Sequence, residues 1–528
     1  MAKSKVKSNI AKQQIIILAI IIIVAFIGVI GLVALQTRDH DNNLTINEAS
    51  NIADHTGIDW SGYTTYDVEL RESLRITTPG IYRLSGKIAD GNITIETDDN
   101  VKLILDGVSI KNSSGPAIFV KDAKNVVIFT TLNTTNTVED GSKYVGYEDN
   151  EVGAIFSHDD LFLDGEGILK VQANNEDGIV SKDDLVILGG AYEIDSLDDG
   201  IRGKDSVQIS SGDFTIKSGG KGIKSSNETD EDKGYIQIQD GTFNLITTDD
   251  ALHAIDITID GGDFTIESGD DGMHADDNLV INNGKIAITK SYEGLEGTTV
   301  TINDGEISVV ASDDGINAAG SDDTGDMGRP GPDQFRSSSK DDTYIRINGG
   351  NITVDASGDG VDSNSNFYID GGKLIVYGPT NSADAALDYD GELKMTGGVV
   401  LAGGASGMTQ GISESSTIYG VTIFFSSNLN AKSTVTIKDD TGKEIASYVS
   451  TKSFGSLIIA SPEFKKDQTY TIKVNDETYQ EFTISSISTQ VGNGGFGGGM
   501  MRGDMPGGMQ PNGAGGAAPN NFPRRMQR

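Results

Sequence analysis

Residues 249–254 read DDALHA and residues 270–275 read DDGMHA, one frame repeated after twenty-one residues. A single such stretch is a surface turn, whereas repetition at a fixed period stacks the same groups in space. Working outward, a turn followed by one apolar residue recurs as DGI at 177 and 199, KGI at 221, DAL at 250, DGM at 271, EGL at 293, DGI at 314 and DGV at 359. The spacings are 22, 22, 29, 21, 22, 21 and 45. A second landmark, a glycine turn entering a strand, keeps the same beat through GDFTI at 212, GTFNL at 241, GDFTI at 262, GKIAI at 284, GEISV at 305, GNITV at 350 and GKLIV at 372. The long intervals absorb two polar loops, SSNETDEDKG and GSDDTGDMGRPGPDQFRSSSKDD.

No segment of this region has a 3.6-residue apolar period, so the repeat leaves no room for a helix. Leucine-rich repeats share the length but need an L-x-x-L-x-L skeleton that is missing, and the nine-residue calcium-roll period is absent. A parallel β-helix remains, all-β, with two or three short strands per coil and coils stacked about 4.8 Å apart. Phe214, Phe243, Phe264, Ile286 and Ile307 then form an inward column, which one coil cannot bury and a stack can. About a dozen coils fit, a rod of about 60 Å.

Around this core the expected organisation is a cytoplasmic basic segment at 1–14, a transmembrane signal anchor at 15–35, a polar stalk at 36–62, the β-helix at 63–410, a small antiparallel β-domain at 411–488 and a disordered Gly/Met/Pro-rich tail at 489–528. The anchor, IIILAIIIIVAFIGVIGLVAL, is uncharged and of bilayer-spanning length, and Lys3, Lys5, Lys7 and Lys12 precede it. The positive-inside rule puts everything after it outside the cell, on a single-pass membrane protein. A cleaved signal peptide is the rival, with VALQT a poor exit site.

The chain has 528 residues with 78 acidic and 41 basic side chains, a formal charge of −37. That sign opposes nucleic-acid binding, which runs on Lys and Arg, and favours cations. The absence of cysteine excludes disulfides, thiolate zinc sites and cysteine nucleophiles.

Aligned on the turn, one column reads Asp177, Asp199, Lys221, Asp250, Asp271, Glu293, Asp314, Asp359. Its predecessor reads Glu176, Asp198, Gly220, Asp249, Asp270, Tyr292, Asp313, Gly358, and six positions after the first come Asp183, Asp205, Asp256 and Asp277. Unit charges about 5 Å apart repel by about 3 kcal/mol at an effective dielectric near 20, so several in a row need neutralising. Counter-charges, protonation or a hard cation can do it, and calcium takes six to eight oxygens in forgiving geometry. The plain alternative is that Asp-Gly and Asp-Asp are duplicated turn residues. Calcium is the expected ion, with Asp249, Asp250, Asp270 and Asp271 the leading ligands and Asp198, Asp199, Asp313, Asp314 and Asp277 further candidates.

His253 and His274 form a rung three positions past the turn, in a run Arg202, Lys224, His253, His274, Glu296. No third or fourth zinc ligand is evident, so pairing with the acidic columns is the expectation. Lys221, Lys224 and Arg202 are the candidate bases if the protein is a lyase, and ion-pair partners otherwise. The single Trp, Trp60, lies at the stalk boundary, and the exposed aromatic candidates Tyr144, Tyr147, Tyr292 and Tyr389 make no regular ladder.

Several ordered blocks within 63–486 carry a resemblance: GIYRLSGKIADGNITIET, VKLILDGVSIKNSSGPAIFV, DGIVSKDDLVILGG, DDGIRGKDSVQI, SLIIASPEF and QTYTIKV. Together they resemble the bacterial surface family of carbohydrate-binding domain-containing proteins, typified by a clostridial calcium-binding β-helix. The resemblance implies a right-handed parallel β-helix similar to calcium-dependent pectate lyases, with bound calcium and a plant-type polysaccharide partner such as cellulose or pectic acid. The family's D-G-I-x-G-K-D block falls on Asp199, Gly200, Ile201, Gly203, Lys204 and Asp205, while Ala251 replaces a turn glycine and Gly220 and Lys221 interrupt the acidic columns. The resulting expectation is a membrane-anchored extracellular binder of an acidic or cell-wall polysaccharide. A calcium-dependent polysaccharide lyase and a structural adhesin or spacer are the alternatives.

Overall fold

The computed structural model describes residues 56–230, 232–319 and 343–493. The expected basic segment, the anchor, most of the stalk and nearly all of the tail lie outside the described residues. Among the described residues every regular element is a strand, and no helix is long and apolar enough to cross a membrane.

A full coil contributes three strands, the first two fused into one in Leu252–Ile259, Met273–Ile281 and Leu295–Ile302. Ile179–Ser181, Asp184–Ile187 and Ala191–Ser196 make one coil, and Ile201–Gly203, Ser206–Ile209 and Asp213–Ser218 make the next. Each strand pairs in parallel with its counterpart one period on, as Ile179 with Ile201, Leu185 with Val207 and Tyr192 with Phe214. This is the pairing of a parallel β-helix, and it continues to Val399–Gly404, which lies parallel to Lys373–Tyr377.

The register follows from side-chain alternation. In DFTIKS, Phe214, Ile216 and Ser218 are buried and Asp213, Thr215 and Lys217 exposed, so a one-residue slip would put the charged set inside. Tyr192, Phe214, Phe243 and Phe264 stack as rungs, with ring centroids 5.0, 4.8 and 4.4 Å apart and planes within 14° of parallel. Ile286 and Ile307 continue the same inward column. At the turn entering these strands Gly262 has φ +107°, and a Cβ there would stand 3.0 Å from the Gly241 carbonyl oxygen. Ala251, in place of a turn glycine, is fully buried in the core.

At the C-terminal end the last coil strand, Val399–Gly404, pairs antiparallel with Phe454–Ser461, which pairs antiparallel with Tyr419–Leu429. A separate four-stranded antiparallel sheet, Thr434–Asp439, Glu444–Val449, Thr469–Val474 and Glu477–Thr483, shares a second apolar core with these strands. The Tyr448 hydroxyl donates to the Val376 carbonyl at 2.8 Å and ties this part to the coils. The small β-region therefore caps the open end of the stack, where unpaired strand edges would otherwise be exposed.

Candidate functional site

The first acidic column has a structural duty. Asp177 Oδ1 accepts the Asp199 amide at 3.1 Å, Asp199 Oδ1 the Lys221 amide at 3.0 Å, Asp250 Oδ1 the Asp271 amide at 3.1 Å and Asp271 Oδ1 the Glu293 amide at 3.0 Å. Asp314 Oδ1 accepts the Asp359 amide at 2.6 Å, and Asp359 Oδ1 the Ala385 amide at 2.5 Å. Each aspartate thus satisfies a turn N–H of the following coil. After Lys221, which has no acceptor oxygen on its side chain, the Asp250 amide bonds instead to Asp249 Oδ1 at 3.0 Å. This ladder explains why aspartate recurs at the turn without any ligand, and it leaves the second oxygen of each carboxylate for other partners.

Of the ladder aspartates, Asp250, Asp271 and Asp314 line a groove of about 550 Å³ that runs over the turns and the adjoining strands. Its carboxylates are Asp249, Asp250, Asp270, Asp271, Asp276, Glu293, Glu296, Asp313, Asp314 and Asp362, against the side chains of Lys221, His253 and His274. Lys221 Nζ donates to Asp249 Oδ1 at 2.9 Å and to Asp250 Oδ2 at 2.6 Å. Asp250 also holds His253 Nδ1 at 2.9 Å, and these partners draw its carboxyl well below the usual range against the burial that would raise it. His274 Nδ1 meets Asp271 at 3.1 Å and Glu296 at 2.8 Å. Burial opposes its charge, yet the hydrogen bonds to Asp271, Asp276 and Glu296 push it up to about 12.

Among the described residues, no Lys, Arg or His lines the C-terminal part of the groove. Burial, then repulsion from Glu296, pushes Glu293 up to about 9. Burial and repulsion from Asp359 push Asp314 up to about 8 and Asp362 to about 7, and Asp359 itself rises, by burial, to about 6. Oxygens of Asp314, Asp359 and Asp362 lie within 4.8 Å of one another. Asn317 stands in register between Glu296 and Asp362, donates its amide NH₂ to Glu293 Oε2 at 2.9 Å, and has a buried Oδ1 with no hydrogen-bond partner. The Asp314–Asp359–Asp362 cluster, with an orphaned buried carbonyl on Asn317 in register with Asp362, offers oxygen donors of the kind a hard cation takes.

The other sequence candidates fall in different surroundings. Asp249 and Asp270 face the groove with Asp250 and Asp271, Asp270 raised to about 6 by burial and Asp271. Asp313 lines it too. Asp199 is buried in the ladder, whereas Asp198 is exposed one coil away from the groove's lining. The column Asp183, Asp205, Asp256, Asp277 is corrected by the register. Asp183 shares a hydrogen bond with Asp205, which rises it to about 6, but Asp256 faces Asn278 rather than Asp277. The reason is an extra residue in Met273–Ile281, and it leaves Asp277 exposed, away from the groove lining.

Of the lyase candidates, Lys221 is engaged by two carboxylates and Arg202 pairs with buried Asp177 at 2.5 Å. Lys224 is half-buried, in register between Arg202 and His253. Of the four tyrosines, Tyr292 is exposed at the groove, whereas Tyr144, Tyr147 and Tyr389 are half-buried, Tyr144 bonded to Asp140 at 2.7 Å. Asp276, Asn317 and Asp362 were not singled out from the sequence. The run Arg202, Lys224, His253, His274, Glu296 carried two coils further reaches Asn317 and Asp362, and a 22-residue coil between two of 21 marks the extra residue beside Asp276.

A parallel β-helix with an acidic groove along one edge is the class that fold and site define. Residues 71–325 and 270–478 match the model of the carbohydrate-binding domain-containing protein family, and the chain belongs to that family. A relative from Acetivibrio thermocellus, described as a carbohydrate-binding domain-containing protein, is 43% identical over 187 residues, 34% of this chain, and the chain spans 65% of that relative's length. A solved structure described as the polysaccharide lyase-like protein from C. thermocellum, in a gadolinium derivative, is 30% identical with a TM-score of 0.38, covering 40% of this chain and 92% of its own.

Proposed function

We propose that the protein binds an acidic or cell-wall polysaccharide along the groove, outside the cell, with calcium held in the part of the groove where, among the described residues, no cationic side chain stands. The observation that carries the calcium reading is the partly buried oxygen cluster of Asp314, Asp359 and Asp362, with the unpartnered Asn317 Oδ1 on the residue in register with Asp362. Calcium would restore the charged state of carboxylates that burial otherwise drives toward protonation, and it would offer open coordination positions to sugar hydroxyls or uronate carboxylates. Family membership supports carbohydrate as the ligand class. The proposal includes a right-handed coil, the sense that parallel crossovers take, and anchoring by residues 15–35.

A lyase would use the same calcium to acidify the proton α to a uronate carboxylate and would need a free base nearby. Lys221 and Arg202 are tied to buried carboxylates and Lys224 is not among the residues lining the groove, which favours binding over turnover.

The deciding experiment incubates chelator-stripped protein with polygalacturonate, with and without calcium, following pull-down and absorbance of unsaturated product together. Calcium-dependent capture with flat absorbance, lost in Asp362→Asn, is the expected outcome. Calcium-dependent absorbance growth would make the protein a lyase, and capture indifferent to calcium would remove the ion from the reading.

A further inference from the structure

Strand Met273–Ile281 carries one residue more than either neighbour. Ala254 and Asp256 on one side, and Gly297 and Thr299 on the other, face Ala275 and Asn278. Such a bulge re-aims a side chain, and here Asp276 lines the groove while Asp277 is exposed. His253 and His274 lie in register on adjacent strands with ring centroids 4.9 Å apart. Each ring gives its Nδ1 to carboxylates, His253 to Asp250 and His274 to Asp271 and Glu296. Both Nε2 atoms then face one oxygen, Asp276 Oδ1, at 4.0 Å from His253 and 3.5 Å from His274.

The longer of these contacts is beyond a hydrogen bond. Two ligand atoms on a tetrahedral ion with bonds of about 2.1 Å stand about 3.4 Å apart, so His274 Nε2 and Asp276 Oδ1 at 3.5 Å already stand at ligand spacing and the His253 ring has to close on them to complete the set. Imidazoles whose far nitrogen is held by carboxylates are the arrangement that orients metal-ligating histidines.

We propose that His253 Nε2, His274 Nε2 and Asp276 Oδ1 form a site for a divalent transition-metal ion of the zinc class, with Asp250, Asp271 and Glu296 orienting the rings. Two nitrogen donors suit zinc and disfavour calcium, which takes oxygen. The three side chains are 19%, 26% and 33% exposed, so the ion enters from the groove and keeps a fourth position for water or a ligand oxygen. Asp276 supplies the third ligand that the histidine spacing alone did not disclose. The site is independent of the polysaccharide reading and of the oxygen-only set around Asp314.

The test titrates the chelator-stripped full chain with zinc, by calorimetry, in excess calcium, and uses cobalt as a spectroscopic probe. Expected is one equivalent of zinc that calcium does not displace, a four-coordinate cobalt spectrum with nitrogen ligation, and at least about tenfold weaker binding in Asp276→Asn and in His253→Gln. Asp314→Asn should leave zinc binding unchanged. Equal zinc affinity in the His253→Gln/His274→Gln double variant, or displacement of zinc by calcium, would overturn the proposal. Melting curves confirm that the variants are folded, and Asp276→Asn, on a partly exposed bulge, is the variant least exposed to folding defects.

Discussion

The same period stacks two columns with opposite consequences. Inward, Phe214, Phe243 and Phe264 lie ring on ring, and each new rung adds contact. Outward, Asp250, Asp271, Glu293, Asp314 and Asp359 follow at the same spacing, and each new rung adds repulsion unless something answers it. Repetition is therefore self-sufficient for apolar groups and incomplete for charged ones. The N-terminal part of the groove answers with Lys221 and with the hydrogen bonds that His253 and His274 make to its carboxylates. The C-terminal part, among the described residues, answers by raised carboxyl pKa values and an unpartnered Asn317 oxygen, the condition on which the calcium proposal rests.

The largest expected effect breaks the inward column. Phe243→Ala removes a ring stacked on both sides at 1% exposure and should cost about 3–5 kcal/mol, read as a lowered denaturant midpoint. A smaller loss there would mean that neighbouring rungs collapse into the gap.

The outward column is probed by pH. Glu293, Asp314 and Asp362, raised to about 9, 8 and 7, hold protons in the fold that the unfolded chain has lost above about pH 4. Because the folded state binds more protons, their contribution to stability falls as pH rises from about 4 to about 9. The melting temperature of cation-free protein should drop over that window by roughly 5 °C or more, and calcium should flatten the slope. An equal slope with and without calcium would mean that no ion answers this part of the column.

The smallest effect separates the ladder from the charge. Asp199→Asn keeps an oxygen for the Lys221 amide and should change stability little, whereas Asp199→Ala leaves that amide unanswered and should cost about 1–2 kcal/mol by chemical denaturation. Equal losses in both would assign the column's value to charge rather than to the amide bond.

Much of this was legible in sequence because it is periodic. The all-β class and the inward column follow from alternation, and the turn aspartates announce themselves by recurring. The breaks in period were visible only as arithmetic, since a coil of 22 between coils of 21 does not say which residue bulges. Asp277 was favoured over Asp276 for that reason, and the pairing of Asp256 with Asn278 could not be foreseen. Asn317 was passed over because a single amide has no sequence signature until a register places it beside Asp362.

By itself the sequence determined the parallel stack, since a 21–22-residue period without helical patterning leaves few other ways to bury its apolar residues. It also determined that a line of carboxylates would run along one edge. Only the tertiary structure decided which carboxylates are answered from within and which are not. That depends on registers between strands, on one bulge, and on which oxygen of each aspartate the next coil's amide has already taken.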